Sequence, residues 1–132
     1  LLEREGCVLL MRRAGTGFFD GLYSLPGGHV EPGESAYETA VREIREELGV
    51  ELDASELSWQ GAVHRRSDTN RIEFFMLARE WSGEPSICEP DKCDDLRWCP
   101  RDALPNEVVP YVREAIAAGA GPWLLELGWA RR

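Results

Sequence analysis

Three glutamates, Glu43, Glu46 and Glu47, stand at spacings of three and four residues in a stretch that reads as a helix. At about 100° per residue, this spacing projects all three carboxylates from one side. Like charges so placed destabilise an isolated helix by about 0.2–0.5 kcal/mol per pair. An all-oxygen set of this kind suits a hard divalent cation. The same residues also read as a solvated acidic face partnered by Arg42 and Arg45, and the helix alone does not separate the two readings. The charge distribution leaves both open, since two solvated acidic faces are its plain reading. The chain carries 24 acidic and 15 basic residues, net −9, and the excess lies in two stretches. Residues 31–53 hold eight acids against two bases, and residues 84–95 hold five acids against one lysine. Like charge so concentrated calls for a counter-ion, and a divalent cation is a natural one.

The glutamates close a longer pattern. From Gly28 the chain runs five residues to Glu34, seven more, and then Arg42-Glu43-Ile44-Arg45-Glu46-Glu47-Leu48-Gly49-Val50. This resembles the signature of the Nudix hydrolases at every defined position. The likeness extends to Leu25-Pro26-Gly27-Gly28 and to Arg12-Arg13 at the end of the first strand. The resemblance implies an α/β/α sandwich with a mixed central sheet. It also implies metal-dependent hydrolysis of a nucleoside diphosphate linked to a further group. The implied cofactor is Mg²⁺, with Mn²⁺ as the alternative, held by Glu43, Glu46, Glu47 and the carbonyl of Gly27. Arg42 matches the arginine that holds a glutamate of the motif in place, and Glu34 matches a supporting carboxylate. The chemistry agrees with these roles. A pyrophosphate repels an incoming water, and a bound cation stabilises the developing charge and acidifies that water. A carboxylate then takes the proton, and family members differ in which one does so.

The second acidic stretch is similar to MutT-like members. Trp81 to Glu89 resembles a segment that ends there in a further metal-binding glutamate, which makes Glu89 an extra ligand or base. Asp91 and Glu84 are its rivals, and a solvated acidic loop is the plain alternative. Pro105-Asn106-Glu107 falls where MutT-like members carry an asparagine that hydrogen-bonds the purine. An amide both donates and accepts, but asparagine is equally good as a helix N-cap. Arg12 is expected to contact substrate. Patterns known for NADH and coenzyme A hydrolases are missing, and Arg66 stands where ADP-ribose and dinucleoside-polyphosphate enzymes carry proline or tyrosine. The expected substrate is a nucleoside triphosphate, foremost a purine or oxidised guanine one, cut to monophosphate and pyrophosphate. An ADP-ribose or nucleotide-sugar pyrophosphatase is the alternative, and a non-catalytic nucleotide sensor is the alternative of another class. Phe18, Phe19, Phe74 and Trp123 read as core rather than as walls of a base site, and His29 and His64 lack metal spacing.

These side chains need a scaffold. With 132 residues, 43% of them hydrophobic, the chain fits one globular domain over 1–132. Residues 7–11 and 22–25 read as short strands, the second stopped by Pro26. Residues 35–48 read as a helix with a Ser35/Glu38 capping box and a Gly49 C-cap. Its Tyr37, Val41, Ile44 and Leu48 form a stripe toward the core. Strands at 57–66 and 72–79 form a hairpin. A charged loop follows from 82 to 95, then a strand at 96–99. A second helix is expected at 106–118 with Pro110 in its first turns, and an apolar tail at 122–129 packs back on the body.

Composition narrows the partners. The acidic balance argues against nucleic acid or an anionic membrane. No apolar run is long enough for a membrane-spanning helix. The N-terminus shows no signal pattern, although the start at Leu1 is compatible with a lost leader. Cys7, Cys88, Cys93 and Cys99 lack disulfide-scaffold or zinc spacing and read as free thiols of a reducing cytosol. The expectation is a cytoplasmic enzyme, monomeric or homodimeric, acting on a small nucleotide.

Overall fold

The computed structural model describes residues 1–129. Its central strand is β2 (Cys7–Arg13), whose apolar run is buried on both faces. One edge of β2 pairs antiparallel with β1 (Glu3–Arg4) and β3 (Tyr23–Ser24), and the other with β6 (Cys93–Pro100). A second sheet is mixed. There β4 (Leu57–Arg66) lies between antiparallel β5 (Asn70–Ala78) and parallel β7 (Trp123–Leu127). A bridge between Leu2 and Ala78 joins the two. The expected mixed central sheet is thus realised as two hydrogen-bonded sheets in one layer.

Helix α1 (Ala36–Leu48) covers one face of this layer and α2 (Pro110–Ala118) the other. Strand alternation divides β2 between them. Leu9 and Met11 pack with Ile44, Leu48 and Val50 on the α1 side, and Val8 and Leu10 pack with Val109, Val112 and Ile116 on the α2 side. The second sheet meets both helices too, through Leu57, Met76 and Ala78 against α1 and through Val63 and Phe75 against Ala115. This is the α/β/α sandwich.

Local signals set the ends of α1. Ser35 and Glu38 make the reciprocal capping box, and Gly49 takes a left-handed C-cap at φ 72°. The apolar stripe is corrected at its start. Tyr37 is exposed, while Thr39 is buried because the loop carrying Glu34 folds back and accepts from its hydroxyl at 2.7 Å. Helix α2 begins four residues later than expected. Proline at 110 suits the first helical position, where the lost N–H has no intrahelical partner. The N-cap is therefore Val109, without a side-chain cap, and the cap reading of Asn106 is corrected. The charged loop ends earlier than expected, since β6 already starts at Cys93. The apolar tail is a strand rather than a loose cover.

Pairing of β7 with β4 depends on Gly61. A Cβ there would lie 2.3 Å from the carbonyl oxygen of Trp123 and 2.4 Å from its ring. Gly61→Ala should therefore lower stability by about 1–3 kcal/mol, as overpacking does. Urea unfolding is the check, and an unchanged midpoint would contradict this close pairing.

Candidate active site

Around α1 the structure assembles one acidic cleft of about 410 Å³. Glu43, Glu46 and Glu47 line it from the helix, Gly27, Gly28 and His29 from the loop after β3, and Glu89 from the loop before β6. Arg13, Ser24, Lys92 and Cys93 complete its walls.

Arg42 organises the helix side. Its Nε and Nη2 donate to the Glu34 carboxylate at 2.7 and 3.0 Å, and Nη1 donates to Glu43 at 2.7 Å and Glu46 at 3.2 Å. Nη2 also donates to the carbonyl of His29 at 3.1 Å, tying the glycine loop to the helix. Glu34 accepts in addition from Thr39 and from the Glu31 N–H, and these donors, Arg42 first, hold its carboxyl far below the usual range. Gly28 lets the loop come close, since a Cβ there would sit 2.3 Å from Oε1 of Glu43.

Glu47 lacks such a partner. Among the described residues it accepts only from the N–H of Gly27, at 2.9 Å. Burial, then the neighbouring charges of Glu43 and Glu89, push its carboxyl up to about 8. Burial also raises Glu43, against the pull of Arg42. Among the described residues, no three side chains are already gathered into a finished metal cluster. The carboxylates face one space but are shared with Arg42.

The loop carrying Glu89 hangs on the end of α1. The N–H groups of Ser86 and Cys88 donate to the carbonyls of Leu48 and Glu47, oxygens that the last helical turn leaves unpaired. Glu89 thereby reaches the cleft. Of its rivals, Glu84 is drawn away to Arg4 at 3.0 Å, and Asp91 is exposed outside the cleft lining.

Two expected contacts lie elsewhere. Arg12 points to the α2 side, where it donates to Asp94 at 2.6 Å and lies over the Tyr23 ring. Alternation along β2 puts Arg13 in the cleft instead. Asn106 is exposed in the loop before α2, outside the cleft lining, while its neighbour Glu107 accepts from the Tyr23 N–H. Sequence reasoning missed Arg13 and Lys92 as cleft residues. The period of two along residues 9, 11 and 13 could have found Arg13.

A sandwich that presents clustered helix glutamates to a glycine-lined cleft defines a hydrolase of phosphoric anhydrides. The NUDIX domain family model matches residues 1–119. The nucleoside triphosphatase NudI of Salmonella newport (strain SL254) is 35% identical over 120 aligned residues, covering 84% of this chain and 82% of that protein. A MutT NUDIX hydrolase from Burkholderia pseudomallei superposes with a TM-score of 0.82 at 30% identity, over 90% of this chain and 92% of that one. The E. coli ORF135 protein gives 0.70 at 30% identity, over 89% and 82%. The chain belongs to the NUDIX family and is a MutT-like pyrophosphohydrolase.

The charge of Glu47 predicts how stability varies with pH. Its native pKa of about 8 lies above the ordinary 4.5, so between these values the native state keeps a proton that the unfolded chain has lost. Stability from this group is full below the unfolded value and is lost as pH rises through about 8. In EDTA, the melting temperature of the wild type should fall across this window relative to Glu47→Gln. Parallel curves for the two proteins would contradict the shift.

Proposed function

We propose that this protein hydrolyses a nucleoside triphosphate to the monophosphate and pyrophosphate, using Mg²⁺ or Mn²⁺ held by Glu43, Glu46, Glu47 and Glu89, with the Gly27 carbonyl as a further oxygen. The observation that carries the reading is the convergence of four carboxylates from two elements on one cleft of substrate size. The donor set fits a hard cation, being all oxygen, and the raised Glu47 reflects burial first and the neighbouring carboxylates second. When bound, such an ion would neutralise phosphate charge and acidify the attacking water. The chain's own residues do the rest. Arg42 orients Glu43 and Glu46 and leaves Glu47 and Glu89 as the carboxylates without an arginine partner, the two placed to take a proton. Arg13 and Lys92, the latter 4.0 Å from Glu89, also line the cleft and offer positive charge to phosphate oxygens.

The triphosphate reading draws on the likeness to NudI, a nucleoside triphosphatase. We place the protein in the cytoplasm as a monomer or homodimer without a nucleic-acid partner. Among the described residues no helix is long and apolar enough to cross a membrane.

Activity should vanish in EDTA and return with Mg²⁺ or Mn²⁺. Glu46→Gln and Glu47→Gln should each lower kcat by about 10²–10⁴-fold while the protein still melts cooperatively. Near-normal turnover in either variant would remove these glutamates from the site.

A substrate panel tests the finer reading. A purine triphosphate, with oxidised guanine included, should show the highest kcat/KM against ADP-ribose, NADH, dinucleoside polyphosphates and nucleotide sugars. If Asn106 hydrogen-bonds the base, Asn106→Ala should reduce purine preference by about 1–3 kcal/mol. A clear win for ADP-ribose would replace the triphosphate reading with the alternative substrate class, and a chain that binds nucleotides without turnover would be a sensor.

A further inference from the structure

Beyond the carboxylates, an unusual group lies on the inner face of the second sheet. Arg65 on β4 is only 7% exposed. Its Nε donates to both oxygens of Glu73 on β5, at 3.0 and 3.1 Å, and its guanidinium lies 4.2 Å from the centre of the Tyr111 ring. Among the described residues, its terminal Nη1 and Nη2 donate to no protein atom, yet neither is sealed from solvent. A buried arginine normally spends these donors on the protein. Here they are left to solvent.

One residue is common to the surroundings of this group and to the acidic cleft. Leu25 lines the cleft and also packs in the cluster that holds Tyr111, Val63 and Phe75. The Tyr111 phenol is raised by burial and by Glu73, while Arg65 and the cleft residue Arg13 oppose the rise, so Arg13 stands within electrostatic reach of it. Asn106 lies five positions before Tyr111, on the same approach to α2.

The chemistry of the group identifies its ligand. Glu73 already offsets the charge of Arg65, so the pair is poorly matched to a phosphate. It presents N–H donors beside carboxylate oxygens with lone pairs to spare. The complementary edge is a ring carbonyl next to a ring N–H, as in guanine, hypoxanthine, uracil and thymine. Adenine and cytosine reverse the order, setting N–H against N–H and lone pair against carboxylate. We infer that Arg65 and Glu73 form the base-reading end of the cleft and select nucleotides with a keto base. Stacking on Tyr111 fixes the guanidinium plane for this role. The inference rests on the nucleoside-triphosphate reading above.

The test measures kcat/KM of the full chain with Mg²⁺ for GTP, ITP and UTP against ATP and CTP. The wild type should favour the keto bases by about tenfold or more, the worth of one good bidentate contact. Arg65→Lys keeps the charge but loses the fork, and Glu73→Gln places an amide where the base offers N–H. In both, the keto-to-amino ratio should fall toward one with melting temperature preserved, a change that a purely structural role would not produce. Should either variant fail to fold, substrate analogues decide with the wild type. The triphosphates of 2-aminopurine riboside, which lacks O6, and of 1-methylguanosine, whose N–H is blocked, should each lose about tenfold against GTP. Comparison of GTP with UTP separates purine from pyrimidine sources of the keto edge. Turnover of triphosphates without keto preference, or analogues equal to GTP, would overturn this inference alone. Absence of any triphosphate turnover would overturn the proposed function and this inference with it.

Discussion

The hydrogen bonds of Arg42 to Glu34, Glu43 and Glu46 hold together what charge repulsion would drive apart. Clustered carboxylates on a single helix are unfavourable, and one guanidinium with a planar fork of donors relieves two of them, with Glu34 from the preceding loop, at once. The remaining bond, to the His29 carbonyl, draws the glycine loop against the helix. Glu47 is outside this relief, and burial first and the neighbouring carboxylates second raise its affinity for a proton. Among the described residues the site thus holds carboxylates of two kinds, those bonded to Arg42 and those, Glu47 and Glu89, that are not.

The sandwich converts this local arrangement into a cleft. Both sheets lie in one layer, so α1 can bury Ile44 and Leu48 against β2 while its glutamates look outward along the strand ends. The loop before β6 fastens to the unpaired carbonyls of the last turn of α1, which solves a hydrogen-bonding problem of the helix and delivers Glu89 in the same step. Strand alternation then gives Arg13 to the acidic side and Arg12 to the other. Across the layer, the Arg65–Glu73 pair and Tyr111 make a polar island inside an otherwise apolar contact between sheet and α2. Such an island costs stability unless its groups are satisfied, and Glu73 satisfies Nε while the terminal donors are left to solvent.

Much of this was legible in the sequence because it is local. The capping box of Ser35 and Glu38, the Gly49 cap and the glutamate spacing all act within a few residues, so α1 and its acidic face followed from chain order. The motif beginning at Gly28 carried the family and hence the fold. Boundaries did not all follow. Helix α2 starts only at Pro110, where proline suits the first helical position, and β6 starts early at Cys93, where it already pairs with Arg13 of β2. The tail at 122–129 showed apolar character, but its parallel pairing with β4 is a contact across more than fifty residues of chain.

The same division runs through the site. The sequence by itself determined which carboxylates stand together on α1, because helical periodicity is a property of neighbours. It put Glu89 forward with Asp91 and Glu84 as rivals, and the tertiary structure places Glu89 in the cleft, through backbone bonds of its loop to the end of α1, while Glu84 pairs with Arg4. It named Arg12, which the fold turns to Asp94, while Arg13 lines the cleft; alternation separates the two, and the packing of the layer decides which face is the cleft. Arg65 with Glu73 and Tyr111 carried no sequence signal at all. Their meeting depends on a hairpin register and a helix docked from the far end of the chain, and these are decided by packing.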